Sequence, residues 1–396
     1  MTLPMTPPTL TQRARRLAVL FALAAPILAG AATPVGMLTL PEVAPDGPVT
    51  VFYPTEVAEA AVQRGPFTLS LAADAQPALG NRRLVVMSHG SGGSPWVHAD
   101  MARALVQAGF VVAAPWHRAD NSRDPSRPGP DSWALRPGEM SRAIDAVGRD
   151  ARLAKLLDLD RVGIYGMSAG GHTALSMAGG SFSRAGFKRH CDAHLAEDFQ
   201  TCVGLITQLR GNALDGIKLA VARAVIDWQF DDDTPLVHRD ARVAAVVAAV
   251  PAAADFDMAS LATPAVPVAL LTSGRDVWLV PKFHAERVLA VCLRCERLFD
   301  LPEAGHGAWL SPPPPLLSGL AGKLLNDPKG FDRSVLRVAE QAVVGFFVTH
   351  VVGAPGSASA LPPGPVVRAS GDRQLFERAR RRASSPTTPR PAANNA

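Results

Sequence analysis

Five consecutive residues constrain this chain more than any others: Gly166-Met167-Ser168-Ala169-Gly170. G-x-S-x-G is short enough to recur by chance, so its setting matters more than its letters. The apolar run 161–165 (RVGIY) leads into it and a helical pattern, 171–175 (GHTAL), leaves it. A serine on so tight a strand-to-helix turn must adopt a strained backbone, and the flanking glycines let neighbouring chain pass close. Its hydroxyl then stands above a sheet at a helix N-terminus, where a nucleophile is useful.

Such a turn requires parallel strands joined by helices, and the rest of the chain supplies them. Apolar runs at 83–88, 110–114, 161–165, 243–250, 266–271 and 296–299 alternate with helical patterns near 97–108, 136–157, 168 onward, 282–291 and 332–350. Strands separated by helix-length segments predict an α/β fold, a mostly parallel sheet covered by helices on both faces. The segments 47–53 (GPVTVFY) and 66–71 (PFTLSL) read as antiparallel edge strands. Residues 181–239 are far longer than a crossover needs and read as a helical lid insertion over the strand ends.

A nucleophilic serine needs a base, and the base needs a carboxylate to orient it. His306 follows the last strand on a glycine-flanked loop (PEAGHG). Asp276 ends the turn after the buried run 266–272, which places a carboxylate on the functional rim of an open sheet. Asp255, one strand earlier in PAAAD, is the alternative acid, and either aspartate could instead cap a helix. Acyl transfer also needs donors for an oxyanion. In MSHGSGG (87–93) a strand runs into a glycine-rich turn, so the backbone amides of Ser91 and Ala169 are the candidates, with His89 holding the loop.

Other clusters point elsewhere. Asp231-Asp232-Asp233 lacks the spacing of a calcium loop and reads as a solvated loop or cap. His190, Cys191, His194 and Cys202 could suggest zinc, but in an exported chain a Cys191–Cys202 disulfide pinning the lid is the expectation. Cys292 and Cys295 form C-x-x-C, open to a disulfide or free thiols, and 312–315 is a stiff Pro run. Trp96, Trp116, Trp228 and Trp309 are expected near the cleft loops. No metal and no cofactor is called for.

The net charge of +5 must be located before it is interpreted. Residues 1–31 hold three Arg and no acid, and 354–396 hold seven Arg against two acids, so the middle carries −3. A nucleic-acid reader carries positive charge on its folded face, which argues against such a partner. The basic 13–16, the apolar 17–28 and Ala29-Gly30-Ala31 form the pattern of a cleavable export signal, predicting a periplasmic or secreted protein without stable membrane insertion. Beyond it, no apolar run reaches the roughly twenty residues of a span. The Pro-, Ser- and Arg-rich 354–396 reads as a disordered basic tail, leaving 32–353 as the folded domain.

These segments together resemble the α/β-hydrolase superfamily: GPFTLSLAADA, LVVMSHGSGGS, GFVVAAPWHRADN, GMSAGG, VPVALLTSGRDVWLVP and EAGHGAWL. Within it the chain is most similar to the branch joining predicted dienelactone hydrolases with platelet-activating-factor acetylhydrolase-like serine esterases. The resemblance implies a triad of Ser168, Asp276 and His306 with oxyanion donors at Ser91 and Ala169. Dienelactone hydrolases use a cysteine nucleophile, whereas position 168 is serine; in the acetylhydrolase relatives the acid can follow the earlier strand, which keeps Asp255 open. Secreted polyester hydrolases share the elbow, and Met167 and Trp309 match their surroundings in part. The expected function is cleavage of carboxylic esters, of acetyl or short-chain lipid type, through an acyl-enzyme. An acyltransferase on the same triad and a non-catalytic binding protein on a hydrolase fold are the alternatives.

Overall fold

The computed structural model describes residues 32–353; the leader and tail inferred above lie outside the described residues. Ten strands form one sheet: β1 (Val35–Leu40), β2 (Val49–Pro54), β3 (Ala60–Arg64), β4 (Phe67–Ala73), β5 (Leu84–Ser88), β6 (Val111–Pro115), β7 (Val162–Met167), β8 (Val243–Ala249), β9 (Val268–Ser273) and β10 (Cys295–Leu301). Their order is β10-β9-β8-β7-β5-β6-β2-β1-β4-β3. From β6 to β10 every pairing is parallel, while β2 runs antiparallel to both β6 and β1.

The nine helices among the described residues are α1 (Ala99–Gln107), α2 (Pro130–Arg149), α3 (Ala169–Met177), α4 (Arg184–His194), α5 (Phe199–Val203), α6 (Asp215–Gln229), α7 (Ala285–Val291), α8 (Gly319–Leu325) and α9 (Leu336–Phe347). Strand alternation divides the apolar residues between two faces. Val85 and Met87 pack with Met101 and Leu105 of α1 and with Val343 and Phe347 of α9. Leu84 and Val86 turn the other way, toward Met140 and Ile144 of α2, Leu175 of α3 and Val288 of α7. Central parallel strands buried on both faces must be largely apolar, and those from β5 to β9 are, with Ser88, Thr272 and Ser273 only at the carboxyl ends of β5 and β9.

The 47–53 and 66–71 strands are not edges. β2 lies inside the sheet between β1 and β6, and β4 is one strand in from the edge, parallel to β1 and antiparallel to β3. β1 directly follows the apolar leader and lacks a turn signal before it, and the true edge β3 (AAVQR) is too polar to announce a strand. The Arg333–Val352 helical stretch, α9 with its flanking turns, is also long and apolar enough to cross a membrane, contrary to the expectation. Leu336, Ala339, Val343, Phe347 and Val351 on one side of it belong to the sheet core.

Residues 181–239 carry α4, α5 and α6. They enclose a third apolar cluster in which Phe187, Cys191, Phe199 and Ile226 meet Ala169, Ala252 and Leu279. The Cys191–Cys202 disulfide joins α4 to α5, and Cys292–Cys295 ties the end of α7 to the start of β10.

Phe347 seals one core face by packing its ring where a Cβ at Gly163 would sit. Phe347→Ala therefore leaves a cavity across β7 and lowers unfolding stability by about 3–5 kcal/mol, read from urea midpoints at constant m.

Candidate active site

Ser168 occupies the turn from β7 to α3 with φ 60° and ψ −119°, a conformation a non-glycine residue holds only when its surroundings impose it. Two hydrogen bonds impose it: Ser168 N–H donates to Ala249 O at 3.0 Å, and Ala252 N–H donates to Ser168 O at 3.1 Å. The glycines allow the fit, because a Cβ on Gly166 would strike the Gly170 carbonyl and one on Gly170 the Ser88 carbonyl. The hydroxyl is thereby held at the carboxyl ends of the parallel strands, where an open α/β sheet forms its crevice.

His306 reaches Ser168 from the loop after β10. Its Nε2 lies 2.9 Å from Ser168 Oγ, and its Nδ1–H donates to Asp276 Oδ2 at 2.6 Å. The other oxygen, Asp276 Oδ1, accepts the amides of Trp278 and Leu279, both at 2.9 Å, so the carboxylate is oriented on both sides. With Nδ1 protonated, Nε2 is the acceptor facing the serine hydroxyl. Trp278 leans over the imidazole, ring centroids 5.3 Å apart.

Asp255 is elsewhere. Its carboxylate accepts from His172 Nε2 at 3.0 and 3.1 Å, and that imidazole stacks on Trp133 at 4.8 Å. The pair ties α3 to the loop after β8; it does not touch His306. The geometry joins Ser168, His306 and Asp276 and leaves the alternative acid out.

The 88–93 loop is shaped by a buried ion pair that sequence reasoning did not single out. Arg136, fully buried on α2, donates to Asp120 Oδ2 at 2.7 Å, to Asp120 O and to His89 O. Asp120 Oδ1 accepts from Ser91 Oγ and from Gly92 N–H, at 2.7 and 2.8 Å. Gly93 N–H closes on Gly90 O at 3.0 Å, and Gly92 takes φ +65°. Among the described residues the Ser91 and Ala169 amides donate to no protein acceptor, so both are free for an oxyanion beside Ser168. His89 keeps a structural place, its Nδ1 2.8 Å from Gly90 O.

Two further histidines form arrangements that imitate the first. His117 lies between Ser88 Oγ at 2.7 Å and Glu139 Oε2 at 2.6 Å, all three buried. Burial pushes the Glu139 carboxyl up to about 7, against the Arg118 amide and Arg136 that draw it down. Burial, with Arg136 adding to it, holds His117 well below its ordinary value. His284 Nδ1 accepts the Ala253 amide at 2.9 Å, so its Nε2–H must donate, to Asp198 and Thr201. It therefore has no nitrogen left to act as a base. Burial raises the Asp198 carboxyl, but the hydrogen bonds from His190 and His284 outweigh it and hold it below the carboxylate range.

The Ser168 arrangement opens on a cavity, whose wall Thr201 also joins but no atom of Ser88, His117 or Glu139 does. This is a space of about 880 Å³ bounded by Ser91, Gly92 and Ala169 at its floor and by α6 across from them. Its tryptophans are Trp133 and Trp278. The four expected there are placed otherwise: Trp96 and Trp116 pack edge to face in the core at 6.4 Å, Trp309 Nε1–H donates to buried Ser273 Oγ, and Trp228 is 80 % exposed. Among the described residues no cluster of His, Cys, Asp and Glu is arranged to hold a metal, and His190 serves Asp198 instead. Asp232 and Asp233 accept from Thr234 N–H and Ser183 Oγ in an exposed loop.

Two outcomes follow for the buried groups. Arg136→Met strands the Asp120 charge and costs about 3–5 kcal/mol, whereas Arg136→Met with Asp120→Leu recovers most of it, read from a urea double-mutant cycle. For Glu139, a folded value above the ordinary 4.5 means the folded chain binds this proton more tightly than the unfolded one. That stabilisation is full below about pH 4.5 and is lost as pH rises through about 7. Glu139→Gln, permanently neutral, therefore costs more stability at pH 5 than at pH 8.

The whole arrangement is the α/β-hydrolase fold. Among solved structures the chain is similar to a ferulic acid esterase from Streptomyces cinnamoneus, with a TM-score of 0.51 and 18 % identity over 87 % of this chain and 96 % of that one. No protein-family model and no curated protein matches the chain.

Proposed function

We propose that the protein is an exported serine esterase that cleaves carboxylic esters through an acyl-enzyme. The observation that carries this reading is the hydrogen-bonded line from Asp276 through His306 to Ser168, opening on the cavity. In this mechanism His306 Nε2 takes the hydroxyl proton as Ser168 Oγ attacks the ester carbonyl. The oxyanion that forms is held by the Ser91 and Ala169 amides, whose dipoles are oriented before reaction and need no reorganisation. As the tetrahedral intermediate collapses, His306 returns the proton to the departing alcohol. Water, deprotonated by the same nitrogen, then releases the acid and restores Ser168.

Fold similarity to a protein described as a ferulic acid esterase agrees with this reaction class. Export is supported by the 1–31 signal pattern and by the pairing of all four cysteines, since disulfides persist in oxidising compartments. Position 168 being serine favours the acetylhydrolase-like side of the resemblance over the dienelactone reaction.

Ser168→Ala removes the nucleophile and lowers p-nitrophenyl acetate turnover by at least about 10⁴-fold with an unchanged circular dichroism spectrum. Turnover kept within tenfold would end this assignment, as would failure of the wild type to label with a fluorophosphonate. Asp276→Asn costs about 10⁴-fold in kcat by leaving His306 in the wrong tautomer. Asp255→Asn changes kcat less than tenfold and shows its effect in stability; the opposite ranking would return the acid role to Asp255. Product partitioning between water and an added alcohol separates hydrolysis from acyl transfer.

A further inference from the structure

The helix α6 spends only part of its apolar surface on the core, through Ile226 with Leu219 and Ala222 beside it. Of its fifteen residues only Ile226 is buried. Ile217, Val221 and Val225 recur at a spacing of four, which puts them on one face. They remain 62 %, 58 % and 44 % exposed. Apolar side chains in such a row leave a contiguous patch uncovered, which a chain keeps at a cost unless something binds there. Here the patch has a definite address: all three side chains line the cavity above Ser168.

The opposite side of that cavity is also apolar, with Trp133, Phe187, Ala252 and Leu279 facing α6. The direction in which it runs from Ser168 identifies which half of an ester it receives. The carbonyl oxygen must lie at the Ser91 and Ala169 amides, and the alcohol must leave on the His306 side, because His306 protonates it. The cavity wall holds Ser91, Gly92 and Ala169 on the oxyanion side and continues there along Asp120, Pro125 and Trp133, while on the His306 side it is closed by Trp278, whose ring leans over the imidazole. That lining places the acyl half of the ester in the cavity.

We infer that the cavity between α6 and the Trp133–Phe187 wall is an acyl-binding site for esters of medium-length hydrophobic carboxylic acids, with Ile217, Val221 and Val225 as the residues that select chain length. This rests on the esterase reading above. A volume of about 880 Å³ far exceeds what an acetyl group fills, and lies within the range of sites that enclose a drug-sized ligand. Each methylene transferred from water into such a wall gains about fourfold in binding. The base of the insertion is tied down by the Cys191–Cys202 disulfide between α4 and α5 and by Asp198 bridging His190 to His284, which anchors the Phe187 side of the cavity.

The test is a series of p-nitrophenyl esters from acetate to palmitate on the full chain, repeated with a matched series of alkyl acetates. The expected result is a kcat/KM that rises at least tenfold from acetate to a maximum near octanoate or decanoate, with no comparable rise along the alkyl acetates. Val221→Asp, on an already exposed side chain and so compatible with folding, should lower the ratio of decanoate to acetate kcat/KM at least tenfold. Val225→Phe should shift the maximum to shorter chains. A wild type that prefers acetate, a length dependence confined to the alcohol series, or a Val221→Asp loss equal for acetate and decanoate would each overturn the acyl site while the esterase reading stood. No turnover of any ester and no fluorophosphonate labelling would overturn both.

Discussion

The turn at Ser168 exists because three backbones can touch. β7 brings the serine up, the last residue of β8 accepts its amide and the loop after β8 donates to its carbonyl, and α3 passes so close to β5 that Gly170 has room for no side chain against Ser88. A backbone held at φ 60° costs about 1–3 kcal/mol on its own, and packed strands on both sides must supply it. The proposed chemistry depends on that imposed conformation. It aims Ser168 Oγ away from the sheet and toward His306, and it leaves the Ala169 amide free at the head of a helix.

Around this turn the molecule uses buried charge to hold loops and not to react. Arg136 and Asp120 fold the 88–93 segment so that its hydroxyl and one amide are consumed and another amide remains. Asp255 and His172, and Asp198 with His190 and His284, anchor the loop after β8 and the inserted helices. Each pair is costly to bury and more costly to break, because removing one partner strands the other. The buried Ser88–His117–Glu139 line makes the distinction plain: it has the same three chemical types as the Ser168 line, yet none of the three lines the cavity at Ser168.

Much of this was legible in the residues. The strand–turn–helix around G-x-S-x-G, the Gly-flanked His306 and the Asp276 turn were readable because local chemistry demands those types at those places. The alternation of buried strands and helices predicted the parallel sheet. Less was legible where polarity and position misled: β1 and β3 were missed, β2 was taken for an edge, and four tryptophans were assigned to a cleft that Trp133 and Trp278 occupy instead. Arg136 carried no signal, and Asp120, though it stands in the GFVVAAPWHRADN segment, could not be matched to it, since their pairing spans a loop and a helix.

By itself, then, the amino-acid sequence determined the fold class, the turn at Ser168 and the residue types of the candidate site, because strand periodicity, glycine freedom and helix patterning act over a few neighbouring residues. Which aspartate meets His306 was decided only by the tertiary structure. Asp255 and Asp276 both end strands in similar turns, and the difference lies in what stands opposite each: His172 from α3 for one, and His306 from the loop after β10 for the other. The direction of the cavity is of the same kind, for α6 faces Ser168 only once the insertion has folded back over the sheet.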